Sequence, residues 1–228
     1  MKPLMTVVLL TASLGAMATP VDPLEPVNRA VFAFNDAVDR VALRPAASAY
    51  QSLLPRPIRS GIGNFFSNLG EVSTFLNAAL QGKPDEAANA LGRFVFNSTL
   101  GLGGILDVMT EFGAPKTSED FGQTLGVWGV GEGAYVVLPF FGPSTVRDGL
   151  GRFSVDATTN PVNYLSPSEH RLGVTALSLI NRRAQLLGAD ALVNGDRYVA
   201  LRNLWLQNRR YQVNDGADAS ADAFLEDF

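Results

Sequence analysis

Residues 119–148 read EDFGQTLGVWGVGEGAYVVLPFFGPSTVRD, and this stretch decides how the chain is organised. It combines clustered glycines with an apolar run that ends in two adjacent phenylalanines. Glycine adopts backbone conformations that other residues avoid, so the stretch is expected to bend and not to form one long helix. We predict a glycine-hinged apolar hairpin from Val127 to Phe141. Within it, Tyr135 to Leu138 is a candidate short strand, which periodicity alone does not decide.

Amphipathic helical periods lie on the N-terminal side of this centre. Apolar residues recur every three or four positions from Val27 to Val41, which predicts a helix that ends at Arg44-Pro45. A second helix is predicted to break near Gly70, and a third to close at Gly82. Asp85 is the candidate N-cap of a fourth helix, because its carboxylate can accept the free amide protons of the first turn.

Helical periods return on the C-terminal side after Ser166-Pro167 and continue to Asn208. The predicted fold is therefore mainly α, with one helical domain over residues 19–213 around the central hairpin. Residues 214–228 carry five acidic side chains among alanines, and we predict an acidic, disordered tail.

Residues 1–18 have the three parts of a signal peptide. Lys2 precedes an apolar stretch from Leu4 to Gly15, and Ala16-Met17-Ala18 supplies the small residues that a signal peptidase accepts. The apolar stretch is shorter than the ~20 residues that a membrane-spanning helix needs. We therefore expect export, with any membrane contact peripheral or partial.

Composition excludes several kinds of protein. The 228 residues include no cysteine and one histidine, His170, which excludes disulfides, thiolate nucleophiles, zinc fingers and multi-histidine metal sites. The formal net charge of −4 disfavours nucleic acid as a partner. A serine hydrolase needs a base beside its nucleophile, whereas His170 is expected at the start of a helix. The sequence predicts no enzyme and no cofactor.

A series of short motifs runs through the chain from residue 22 to about residue 210. It includes Asp22-Pro23-Leu24-Glu25, Asn28-Arg29, Phe32-Ala33-Phe34-Asn35, Leu80-Gln81-Gly82, Arg93-Phe94, the stretch from Glu119 to Gly126, Leu138-Pro139 and Arg147-Asp148. Each motif is weak by itself, but their order and spacing together are specific. On these motifs the chain resembles the VacJ or MlaA family of outer-membrane phospholipid-trafficking lipoproteins.

The resemblance implies a disc- or ring-like helical protein with a central amphipathic channel, lodged in the inner leaflet of the outer membrane. The implied partners are phospholipid, a trimeric outer-membrane porin and a soluble periplasmic lipid carrier. The implied role is not enzymatic: misplaced phospholipid is removed from the outer leaflet and passed to the carrier, which maintains lipid asymmetry.

The chain departs from the family at the anchor. The family usually has a lipidated cysteine just after the leader, and this sequence has Ala18-Thr19-Pro20 there and no cysteine. Either translation begins further upstream and a lipidation site lies there, or the protein is held by other contacts. The missing cysteine also keeps an alternative open, a soluble periplasmic lipid-binding or scaffold protein that is not embedded in the membrane.

Under this resemblance the central hairpin has two interpretations. Its residues either line the lipid path and shift as a gate, or fill the core with glycines at tight turns. Phe65 and Phe66 likewise either contact the leaflet or pack in the core. The hairpin residues concerned are Gly126, Trp128, Gly129, Gly131, Gly133, Tyr135, Val136, Leu138, Pro139, Phe140 and Phe141.

Arginines within the motifs are the candidate contacts for a lipid head group. Arg29, Arg93 and Arg147 have two interpretations. They either bind the phosphate as forked donors, or pair internally with acids such as Asp107 and Asp148. Internal pairing is the favoured interpretation.

Overall fold

The computed structural model describes residues 22–188 and 195–216 and consists mainly of helices. The two strands, β1 (Tyr135–Leu138) and β2 (Gly142–Thr145), form one antiparallel hairpin. The predicted signal peptide and most of the predicted tail lie outside the described residues. The α-helices are α1 (Glu25–Val38), α2 (Arg44–Leu53), α3 (Arg56–Leu80), α4 (Pro84–Thr99), α5 (Val108–Glu111), α6 (Phe121–Val127), α7 (Val146–Gly151), α8 (Ala157–Thr159), α9 (Ser168–Leu186) and α10 (Arg197–Val213).

The first two helices form one continuous helical segment, so the prediction that Arg44-Pro45 ends a helix is wrong. A π-helical turn, Asp39–Leu43, joins α1 directly to α2. Proline lacks an amide donor, and its ring crowds the carbonyl four residues earlier. The wider π turn lies just before Pro45, so the hydrogen-bond pattern of the helix changes at the point where proline supplies no donor.

The third helix is also longer than predicted. α3 runs for 25 residues through Gly70, where we predicted a break. Gly70 is exposed and lowers the helix propensity, but the packing of α3 along α4 outweighs that cost. The predicted close at Gly82 is confirmed by its φ of 75°. α4 begins at Pro84, so Asp85 lies in the first turn and is not the N-cap.

The glycine-rich centre contains a helix before its hairpin. Asp120 caps α6 by accepting a hydrogen bond from the Gln123 amide (2.9 Å). Gly126 therefore belongs to α6 and Trp128 to its end, so the hairpin does not begin at Val127 as predicted. The structure decides the question left open at Tyr135 to Leu138: these residues form the strand β1, and its partner is β2.

The two C-terminal helices pack against different parts of the domain. α9 packs against α2 and α3, and α10 packs against α6 and β2. One small apolar cluster, Ala47, Tyr50 and Ala184, joins α2 to α9. A second joins the hairpin to α10 and consists of Tyr135, Val137, Tyr198 and Leu206.

The interior and the surface have the reverse of the usual composition. Among the described residues, 17 polar or charged residues are buried, compared with 11 apolar ones, of which five are alanine. In the same ranges 32 large apolar side chains are exposed. The burial of more polar than apolar residues is the unusual observation, because the interiors of proteins surrounded by water are mainly apolar. No helix of the described ranges is both long and apolar enough to cross a bilayer.

Candidate functional site

The free edge of β1 is held by side chains of α1. Asn28, which is 2% exposed, accepts a hydrogen bond from the Val137 amide (2.8 Å) and donates one to the Tyr135 carbonyl (3.0 Å). Its amide nitrogen also donates to the carboxylate of Asp22 (2.8 Å). The side-chain amide of Asn28 thus pairs with β1 as the backbone of a neighbouring strand would.

Asn35 holds the end of the same strand in the same way. It accepts a hydrogen bond from the Phe140 amide (2.8 Å) and donates one to the Leu138 carbonyl (3.0 Å). The two helical turns between Asn28 and Asn35 advance about 10.5 Å, which is close to the ~10 Å that three strand residues span. α1 therefore takes the place of a third strand beside the hairpin.

The turn of the hairpin contains a phenylalanine in a strained backbone conformation. The Phe141 amide donates to the Leu138 carbonyl (3.2 Å), and Phe140, which follows Pro139, has a φ of 65°. Proline followed by a residue of positive φ is typical of a type II turn, in which glycine usually occupies the second position. Phenylalanine there costs roughly 1–2 kcal/mol. Such strain is typical of functional sites.

The two phenylalanines of the turn form an exposed aromatic tip. Phe140 and Phe141 are 67% and 54% exposed. Phe140 packs edge-on against Phe34 (ring centroids 5.2 Å apart), and Phe141 packs edge-on against Phe153 (5.4 Å). The guanidinium of Arg152 lies 5.6 Å from the Phe141 ring centre. Exposed aromatic rings beside a cation suit the boundary between hydrocarbon and anionic head groups.

The stem of the hairpin lies in the core. Tyr135 and Val137 are buried in the apolar cluster with α10, and burial raises the pKa of Tyr135 to about 12. Val136 and Leu138, on the opposite face of β1, are half-buried. The structure thus places the stem in the core and only the tip on the surface.

The other predicted hairpin residues lie outside the strands. A Cβ added to Gly126 would lie 2.7 Å from a side-chain carbon of α10, so glycine permits that helix contact. Trp128 is 53% exposed and donates to the Leu80 carbonyl (3.1 Å). Gly129 and Gly133 have positive φ angles of 87° and 68°, which mark the turns between α6 and β1.

Arg93 of α4 is 1% exposed and fully engaged. Its Nε donates to Glu71 (2.8 Å), and its Nη2 donates to both oxygens of Asp107 (2.9 Å each). Its Nη1 donates to the Thr110 hydroxyl (3.2 Å) and the Ala114 carbonyl (3.1 Å), so all five N–H groups of the guanidinium are used. Burial raises the pKa of Glu71, although its hydrogen bond with Arg93 opposes the shift. The structure places Arg93 in an internal network that joins α3, α4 and the loop before α5.

A second buried cluster joins α6, α7 and α10. Arg209 donates to Asp120 (2.6 Å) and Asp148 (2.9 Å), and Arg147 donates to Asp148 (3.1 Å). Burial by itself would raise the pKa of Asp148, but the hydrogen bonds from Arg209 and Thr145 and the charges of Arg209 and Arg147 together outweigh burial, and the pKa is lowered. A Cβ added to Gly122 would lie 2.5 Å from the guanidinium of Arg209, so only glycine permits this close approach. Sequence reasoning missed Arg209, since its helical pattern resembles that of a solvated face.

Arg29 lies nearer the surface than these two clusters. It pairs with Glu25 (2.7 Å) and Asp196 (2.8 Å), and its guanidinium lies 4.5 Å from the centre of the Tyr198 ring. Phe65 and Phe66 of α3 are half-buried and contact each other edge-on, with ring centroids 5.4 Å apart.

The whole described domain matches one protein family. Residues 20–212 match the family model of the MlaA lipoprotein. The chain belongs to the MlaA lipoprotein family. The MlaA protein of Shigella flexneri, an intermembrane phospholipid transport system lipoprotein, is 38% identical over 203 residues, or 86% of this chain and 79% of that protein. The protein of the same name in Haemophilus influenzae is 32% identical over 200 residues, or 86% and 80% of the two chains.

A solved structure supports the same assignment to the MlaA family. It is described as the structural basis for maintenance of bacterial outer membrane lipid asymmetry, and it superposes with a TM-score of 0.74 at 38% identity. The match covers 84% of this chain and 98% of the other. The predicted family and the mainly α, ring-like domain are thereby confirmed. In this MlaA-family chain the roles of Asn28 and Asn35 escaped sequence reasoning, although two asparagines seven residues apart share one helix face.

Proposed function

We propose that this MlaA-family protein is a non-enzymatic phospholipid conduit of the outer membrane. It removes misplaced phospholipid from the outer leaflet and passes it to a soluble periplasmic carrier. The observation that carries the proposal is the buried polar interior beneath an apolar surface. Hydrocarbon solvates exposed apolar side chains, whereas polar groups in such surroundings must be satisfied within the protein. The relatives named for intermembrane phospholipid transport support it.

A phospholipid that changes leaflet needs two surroundings at once. Its acyl chains remain in hydrocarbon, while its charged head group needs polar groups or water. In the proposed arrangement the apolar exterior faces the acyl chains and a trimeric porin, and the central channel implied by the family resemblance accepts the head group. The exposed rings of Phe140 and Phe141 contact the acyl chains in this arrangement.

Movement of the hairpin as a gate would require hydrogen bonds between α1 and β1 to break. Four hydrogen bonds from Asn28 and Asn35 hold β1 in its described position. Each contributes a net of about 1 kcal/mol, and the two asparagines contribute equally. The stem is also buried against α10, so the tip opens more easily than the stem. We propose that any gating motion involves the tip and the turn, with the stem remaining on α10.

Deletion of the gene tests the proposed transport. We expect more amine-bearing phospholipid at the cell surface, measured with a membrane-impermeant amine reagent, and greater detergent sensitivity. Both should return to normal when the wild-type gene is restored. A deletion strain in which both measurements stay normal would contradict the proposal.

Cell fractionation separates the conduit from a soluble periplasmic lipid-binding protein. A conduit is recovered with outer-membrane vesicles, whereas a soluble carrier is released in the osmotic-shock fluid. N-terminal mass measurement of the recovered protein shows whether it carries an acyl group. Purified protein incubated with phospholipid vesicles should release no lysolipid, which tests the non-enzymatic part of the proposal.

A further inference from the structure

A cavity lies between α2, the start of α3 and α9. Its volume is about 320 Å³, at the lower end of the range of small-molecule sites. No hairpin residue and no carboxylate lines it. The lining residues that carry polar side chains towards it include Tyr50, Arg56, Arg59, Ser60, Asn181 and Gln185.

Asn181 presents an unused donor in this cavity. It is 3% exposed, and its Oδ1 accepts a hydrogen bond from the Tyr50 hydroxyl (2.9 Å). Its Nδ2 has no acceptor among the described residues. A Cβ added to Gly63 would lie 3.5 Å from this nitrogen and 3.3 Å from Nε2 of Gln185, so both amide nitrogens lie beside Gly63, where α9 meets α3. Nε2 of Gln185 likewise has no acceptor within the described ranges.

Two arginines supply positive charge to the same cavity. Nε of Arg59 is enclosed and has no hydrogen-bond partner among the described residues. A buried donor in this state costs free energy unless a ligand or water satisfies it. Tyr50 and Arg59 both line the cavity. Burial raises the pKa of Tyr50, and the charge of Arg59 opposes that shift. Within the described residues neither Arg56 nor Arg59 forms an ion pair.

The surrounding helices carry a local excess of positive charge. Residues 44–70 contain three arginines and no acid, and α9 contains three arginines and one acid, Glu169. Of these arginines, Arg183 is paired with Asp39 (2.6 Å). The chain as a whole has a net charge of −4, so this region is set apart from the rest. A cleft lined by charge of one sign concentrates ions of the opposite sign.

We propose that this cavity binds a phosphate group, either the phosphodiester of a lipid head group or free phosphate. Arginine forks match phosphate oxygens, and the amide nitrogens of Asn181 and Gln185 add two neutral donors. No carboxylate lines the cavity to repel the anion. The lipid form of the ligand rests on the proposed transport function, whereas the anion site itself does not.

Binding to the intact protein in detergent tests the proposal. Inorganic phosphate and glycerophosphoethanolamine, a phosphodiester without acyl chains, are titrated separately by calorimetry or ³¹P line broadening. We expect saturable binding of at least one of them, weakened about tenfold or more by Arg59→Gln and less by Arg59→Lys, which keeps the charge without the fork. Preference for the diester assigns the site to head groups, and preference for inorganic phosphate assigns it to the free anion.

Arg182→Gln is the matched control, because Arg182 is an exposed arginine of α9 that does not line the cavity. It removes the same charge from the same region and should change affinity less than twofold. Equal weakening by Arg182→Gln, or no saturable binding of either anion by the wild type, overturns the site. The transport proposal would not be contradicted by that result, because the deletion strain tests it independently.

Discussion

Asn35 holds the backbone amide of Phe140 at 2.8 Å, at a turn position where Phe140 adopts a φ of 65°. The hydrogen bond stabilises a conformation that the Cβ of Phe140 disfavours. The conformation of the aromatic tip therefore depends on two opposing contributions, the hydrogen bonds from Asn35 of α1 and the backbone strain at Phe140. Two substitutions separate these contributions.

Replacing Asn35 should loosen the tip without unfolding the domain. Asn35→Ala removes both hydrogen bonds to the turn and should lower the free energy of unfolding by about 1–3 kcal/mol. Amide hydrogen exchange should accelerate at residues 138–141 and remain unchanged along α9. Asn35→Asp keeps the acceptor for the Phe140 amide and should have a smaller effect. Equal exchange rates in wild type and Asn35→Ala would show that these hydrogen bonds do not hold the turn.

Replacing Phe140 by glycine should separate stability from function. Phe140→Gly relieves the strained φ, a gain of roughly 1–2 kcal/mol, and loses the edge-on contact with Phe34, worth about 0.5–1.5 kcal/mol. We expect the free energy of unfolding to change by less than about 1 kcal/mol as a result. Complementation of the deletion strain should nevertheless decrease, because the apolar tip is lost. Full complementation by a stable variant would assign Phe140 to the fold alone.

The buried carboxylate of Asp148 should make stability depend on acid. Its pKa in the folded protein lies below the ordinary value, so its charge stabilises the fold fully above the ordinary pKa of ~3.9. That contribution is lost as pH falls through the lowered pKa. Asp148→Asn should therefore cost about 1–3 kcal/mol at pH 7 and lose less stability between pH ~5 and pH ~3. Denaturant unfolding at several pH values measures both, and parallel curves would contradict the prediction.

Two glycines should respond to alanine in opposite directions. Gly122→Ala places a Cβ 2.5 Å from both Arg209 and Asp148, so overpacking should destabilise the domain by about 1–3 kcal/mol. Gly70→Ala meets no atom within 4 Å in an exposed helix position and should stabilise by about 0.5–1 kcal/mol. Thermal unfolding of the two variants measures the difference. Equal changes would mean that α6 and α7 can separate freely.

Local features of the chain could be predicted from the sequence because they depend on neighbouring residues. Tyr135 to Leu138 is a strand because its apolar, β-branched run is bounded by glycines and Pro139. Helical periods identified the helices but not their continuity. Pro45 and Gly70 resemble breaks in sequence, and only packing against α9 and α4 shows that the helices continue through them.

The sequence by itself determined the helical periods, the glycine-rich centre, the absence of thiol chemistry and the family. The tertiary structure decided which face of each helix is inside. Asn28 is 2% exposed, whereas Val41 of the adjoining π turn is 81% exposed. A helical period shows that a helix has an apolar face and a polar face, but it does not show which of the two faces the interior. It also decided the partner of each buried charge. Arg209 and Asp120 are 89 residues apart in the chain. The sequence shows that each side chain is charged, but it does not show whether water or the opposite charge surrounds it.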